Sequence, residues 1–181
     1  MTRRTAVLAA ASAPLALATN TRADDPKPAA GPLVTRNQVR LNLAGAELVV
    51  AAARQKAAAA GWKMNIAVVD DGGHLLAFAR MDGARPASGY TALAKAVTAA
   101  TFRQETGPLP PKGEPDLLLN LSLQNAAAAG GGKLTTLKGG VPVVVDGQVV
   151  GGVGIGGGSG DQDAEAAKAG IRVLLDALGK K

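Results

Sequence analysis

The chain has 181 residues, one domain's worth and long enough for a sizeable core, with 47% of them hydrophobic. It contains no cysteine, which excludes disulfides, iron–sulfur clusters and thiolate catalysis. The net charge is +6, yet no stripe of Lys and Arg with interleaved aromatics argues for nucleic acid.

Residues 1–23 read as a signal peptide. Arg3-Arg4 precede an apolar run over residues 6–18, broken only by Ser12 and Pro14, and Thr21-Arg22-Ala23 closes the segment. The run is shorter than the roughly 20 helical residues that span a bilayer. Thr2-Arg3-Arg4 suggests the twin-arginine route, and the expected location is periplasmic or secreted. Cleavage after Ala23, or after Ala18, removes arginines and no acid; losing Arg3, Arg4 and Arg22 lowers +6 to +3. Residues 24–34 (DDPKPAAGPLV) form a proline-rich, disordered linker, and residues 35–181 form the domain.

Thr35 is the expected N-cap of a first helix over 36–60, with Gln38 completing a capping box and Gly61 stopping it. Apolar runs at 63–70 and 74–81 flank Asp71-Gly72-Gly73 and predict a hairpin. A second helix opens at Ser88 or Gly89 and runs through Phe102. The proline-rich 107–115 must be a loop, and 116–129 is a third helix. A short strand is expected at 133–137. Asp146-Gly147 between 141–145 and 148–155 predicts a hairpin with a type I′ turn, which needs positive φ at both central residues. The last helix spans 161–178, with Asp161 and Asp163 at the positive end of its dipole and Gly179 after it. The order α-β-β-α-α-β-β-β-α, with tightly turned neighbouring strands, gives an α+β domain: an antiparallel sheet packed by helices. Aromatics are scarce (Trp62, Phe78, Tyr90, Phe102), so the core is built from Ala, Val, Leu and Ile with closely approaching backbones.

The stretch Gly156-Gly157-Gly158-Ser159-Gly160 either converges amides on a ligand or lets another backbone come close. Gly152-Val-Gly154-Ile-Gly156-Gly157 matches G-x-G-x-x-G formally. The chain nevertheless ends on the following helix, which rejects a dinucleotide fold. A zinc site would have one histidine and scattered carboxylates to draw on.

His74 is the only histidine. Strict alternation would put His74, Leu76, Phe78 and Arg80 on one face of the second strand, and Leu75, Ala77, Ala79 and Met81 on the other. An imidazole, two apolar side chains and a guanidinium in a row suit a haem wall, with His74 on iron and Arg80 on a propionate. The bland alternative is a turn histidine bonded to local backbone with Arg80 in solvent. Other protein-derived iron ligands are limited to Met64, Met81, Tyr90 and weaker oxygens.

IAVVDDGGHLLAFARMDGARPAS, then ALAKAVTAATF, then GGVPVVVDGQVVGGVGIGGGSGDQDAEAAKAG, resemble in that order the GlcG/HbpS/PduO C-terminal-domain family. The resemblance implies a profilin-like layout, self-association as a homo-oligomer, and binding of haem or a related tetrapyrrole, in some members with slow haem degradation or redox sensing. The motif matches at Gly72, Gly73, His74, Phe78, Arg80, Met81, Asp82 and Gly83. The expected cofactor-binding residues are His74, Phe78, Arg80, Met81, Tyr90 and Lys95, in an exported binding protein rather than a dedicated enzyme. The rival reading is a catabolic accessory protein or enzyme for a small organic acid, with Arg80 or Lys95 holding the carboxylate and Asp82 or His74 as general base.

Overall fold

The computed structural model describes residues 38–129 and 131–179. The expected signal peptide, linker and Thr35 cap lie outside them. Helix α1 (Leu43–Ala59) begins later than expected, because residues 38–42 are irregular and Asn42 takes the cap. Asn42 has an extended backbone, and its Oδ1 accepts from the Gly45 amide at 2.9 Å. Ala46, Val49, Ala53 and Ala57 form the buried stripe of α1 at helical spacing.

Strands β1 (Asn65–Asp70) and β2 (Leu75–Arg80) form the first hairpin, followed by α2 (Ser88–Phe102) and α3 (Leu117–Ala129). Strands β3 (Gly140–Val145) and β4 (Gln148–Gly156) form the second, and α4 (Gly160–Ala177) ends the domain. The expected strand at 133–137 is absent: that segment is irregular, tied by the Thr135 amide to Thr98 Oγ1 and by the Thr106 hydroxyl to the Leu137 carbonyl. The expected I′ turn is present, with φ of 50° at Asp146 and 74° at Gly147.

The sheet is antiparallel in the order β2-β1-β4-β3. Helices α1 and α4 cover one face, on Ile66, Val68, Val153 and Ile155. Helix α2 covers the other, on Ala67 and Val69, so β1 and β4 are buried on both faces. The fold is α+β, as the sequence implied.

Gly152, Gly154 and Gly156 point at α2. A Cβ at Gly154 would sit 2.1 Å from the Ala92 carbonyl oxygen, and one at Gly152 would sit 2.3 Å from that of Ala96. The glycines therefore serve close backbone approach, the second of the two roles open to them in sequence. The strand-to-helix corner ends in a capping box: Ser159 Oγ accepts from the Gln162 amide, and Gln162 Oε1 accepts from the Ser159 amide.

Strict alternation fails in β2. Val69 pairs with Leu75 and Val68 with Ala77, leaving Leu76 as the extra residue of a bulge. By register Leu75, Phe78 and Arg80 fall on the α2 side of the sheet, but β2 is its edge strand, and Phe78 and Arg80 also border the hollows beside α1. Leu76 turns to the α1 side and packs against that core with Ala77 and Met81. The expected row of His74, Leu76, Phe78 and Arg80 is thus broken at Leu76.

Candidate functional site

Three polar features stand on this frame. At the β1–β2 turn, Asp70 Oδ1 accepts from the Gly72 amide at 3.0 Å, the His74 amide at 2.8 Å and His74 Nδ1 at 3.2 Å. Burial pushes the Asp70 carboxyl up, but the His74 amide, the His74 ring and the Gly72 amide together hold it below its ordinary value. The His74 side chain is 83% exposed, and a ring bonded through Nδ1–H keeps its Nε2 lone pair free.

The second feature is a groove of about 630 Å³ between α1 and the far end of β2, lined by Ala51, Arg54, Gln55, Ala58, Lys63, Ala79, Arg80, Met81 and Asp82. Ala51 and Arg54 also line a smaller hollow of about 250 Å³ with Leu43, Glu47, Val50, Leu76, Ala77 and Phe78, so one seam joins a mainly apolar stretch to a mainly cationic one. Among the described residues, none of Arg54, Lys63 and Arg80 forms an ion pair. Met81 supplies the one soft donor in the groove lining.

The third is a cleft of about 740 Å³ on the α2 side, where β4 hands over to α4. At its floor Lys95 Nζ donates to Asp163 Oδ2 at 2.7 Å and to the Ile155 carbonyl at 2.8 Å, and Asp163 Oδ1 accepts from the Gly158 amide at 3.0 Å. The rim carries Arg85, whose Nε donates to the buried Ser88 hydroxyl at 2.9 Å. Lys138 pairs with Asp161 there, and that carboxylate raises the lysine pKa.

The sequence-predicted residues divide among these places. Arg80 and Met81 meet in the groove, and Lys95 lines the cleft. His74 stands at the opposite end of β2 from Arg80. A Cβ added at Gly89 would lie 3.4 Å from Phe78 Cζ, which places that ring beside the first turn of α2, and Tyr90 is 82% exposed. Four residues escaped the sequence reading as site residues: Arg54 and Lys63, which approach Arg80 only through folding, and Arg85 and Ser88. Asp163 looked like a helix-dipole carboxylate rather than a buried partner. The available signal was Lys95 itself, a single cation inside the alanine-rich ALAKAV run, since a buried lysine requires an anion. Among the described residues no group of three or more His, Asp or Glu side chains could hold a metal ion, and no helix is long and apolar enough to cross a membrane.

Comparison with known proteins adds an independent line. The family described as "Haem degrading protein HbpS-like" matches residues 41–172. Protein GlcG of Escherichia coli K12 is 44% identical over 120 residues, covering 66% of this chain and 84% of that protein. The crystal structure of a double mutant of HbpS from Streptomyces reticuli is similar with a TM-score of 0.63 and 34% identity, covering 81% of this chain and 99% of that one. A PduOC:haem complex is similar with a TM-score of 0.61 and 25% identity, covering 75% and 95%.

Proposed function

This chain belongs to the HbpS-like haem-degrading protein family, and from that membership we propose that it binds haem in the groove between α1 and β2. The observation that carries the reading is a charge match. Arg54, Lys63 and Arg80 outnumber Asp82 in the groove and Glu47 in the adjoining hollow, which leaves the seam net positive toward a ligand with two propionates. The residues present fit the group: Val50, Leu76 and Ala77 offer an apolar wall beside the cations, and Met81 offers a thioether.

Bound haem would supply redox and oxygen chemistry, and the chain would hold it, exclude water from one side and anchor its carboxylates. Any slow degradation of haem would be secondary to binding. Hemin titration followed in the Soret region tests this. Arg80→Ala and Lys63→Ala should each weaken binding about tenfold, roughly 1.4 kcal/mol. Wild-type affinity in both variants would remove the groove from consideration.

The same reading makes the protein exported and self-associating. Export is supported by the basic, then apolar composition of residues 1–23 and tested by the intact mass of periplasmic material. Self-association is supported by Leu117, Leu118 and Leu121, exposed on a helix with no charged residue. Sedimentation of a strictly monomeric mature protein at micromolar concentration would refute it.

A further inference from the structure

We propose that the cleft on the α2 side is a second binding site, separate from the haem groove, that takes a small monoanionic carboxylate with Arg85 as its anchor. The charge count points to that class. Three cations, Arg85, Lys95 and Lys138, line the cleft with two carboxylates, Asp161 and Asp163. Lys95 is neutralised by Asp163, and Lys138 by Asp161. Arg85 is left without an ion pair among the described residues, so the cleft carries one uncompensated positive charge. One charge on a planar guanidinium matches a carboxylate, which it can hold with two parallel N–H···O bonds, better than a phosphate dianion.

Donor accounting agrees. Ser88 is 3% exposed and accepts from Arg85 Nε, which leaves its own O–H to donate. Lys95 is 4% exposed and has three N–H groups, two of them used on Ile155 and Asp163. A guanidinium edge, a hydroxyl and an ammonium hydrogen thus line one cleft with no carboxylate left to satisfy them, while Leu137 and Pro108 give an apolar wall for the body of the ligand. Arg85 is also held in place from behind. The fully buried Asn65 donates its Nδ2 to the Arg85 carbonyl at 3.0 Å, so the turn entering α2 is pinned to β1.

The two sites share no lining residue, so this assignment stands or falls independently of haem binding. Calorimetric titration of the full chain with L-lactate, acetate and inorganic phosphate tests it. We expect saturable lactate binding, weaker acetate binding and no comparable phosphate binding. Arg85→Ala should weaken lactate at least tenfold. Arg85→Lys, which keeps the charge and loses the fork, should fall between, and it guards against a misfolded alanine variant. Both variants should bind hemin as the wild type does. Phosphate binding tighter than lactate, or lactate affinity unchanged in Arg85→Ala, overturns the proposal. So does competition between lactate and hemin, which would make the cleft a propionate subsite of the haem site.

Discussion

Lys95 and Asp163, 68 residues apart in the chain, form an ion pair of 2.7 Å with side chains only 5% and 2% exposed. The pair joins α2 to the first turn of α4 across the end of β4. Its attraction must offset the desolvation of both charges, and the Ile155 carbonyl and Gly158 amide supply the additional bonds that such a pair needs.

Removing one partner strands the other. Lys95→Ala or Asp163→Ala should each destabilise the fold by about 3–5 kcal/mol, whereas the double variant Lys95→Met, Asp163→Leu should recover most of that loss. Urea denaturation of all three measures it. Single-variant losses below about 1 kcal/mol would mean that water reaches the pair.

Gly154→Ala places a methyl group 2.1 Å from the Ala92 carbonyl oxygen. Neither backbone can yield without moving the sheet or the helix, so a loss of about 3 kcal/mol or more is expected. Gly107→Ala, where an added Cβ meets nothing within 4 Å, is the control and should stay within about 0.5 kcal/mol. Thermal melts of the two variants side by side check the contrast.

His74 does not line the groove proposed for haem, so on that proposal His74→Ala should leave hemin affinity within about twofold and the Soret band unmoved. A tenfold loss with a shifted band would relocate the iron to the Asp70 turn, where Nδ1 is already held by a carboxylate in the manner of a metal-ligating histidine.

Asp70 has a depressed pKa in the folded protein. The stability it contributes is therefore fully present above its ordinary value of 3.8 and is lost as pH falls through the lower folded value. Asp70→Asn should be less stable than wild type at pH 7, and the gap should close in acid. Urea midpoints at pH 7, 4 and 3 read this out. A gap of constant size would show that the carboxylate's charge is not what ties the turn.

Local chemistry carried the fold in the sequence. Asp146-Gly147 determines its hairpin because two consecutive positive φ angles admit few residues, and the Gly61 and Gly179 stops fall where the first and last helices end. Two local features were misread for want of tertiary information. Nothing in the Ala-, Leu- and Val-rich run from residue 36 marks Leu43 as the start of α1, and nothing in LLAFAR marks Leu76 as the residue that bulges. The sites were less legible, because Arg54, Lys63 and Arg80 converge from α1, the turn before β1 and β2. Lys95 and Asp163 meet only once the sheet has closed.

The bare inner edge of β4 has an evolutionary consequence. With no side chain at Gly152, Gly154 or Gly156, the strand cannot adjust to a new ligand by exchanging residues, and any attempt collides with the backbone of α2. Of the three only Gly156 lines the cleft, and that corner is fixed by the packing of β4 on α2. Diversification has to work on the rim, through Arg85, Ser88, Thr91 and the segment from Thr136 to Lys138, where a substitution changes what is recognised without asking the scaffold to move.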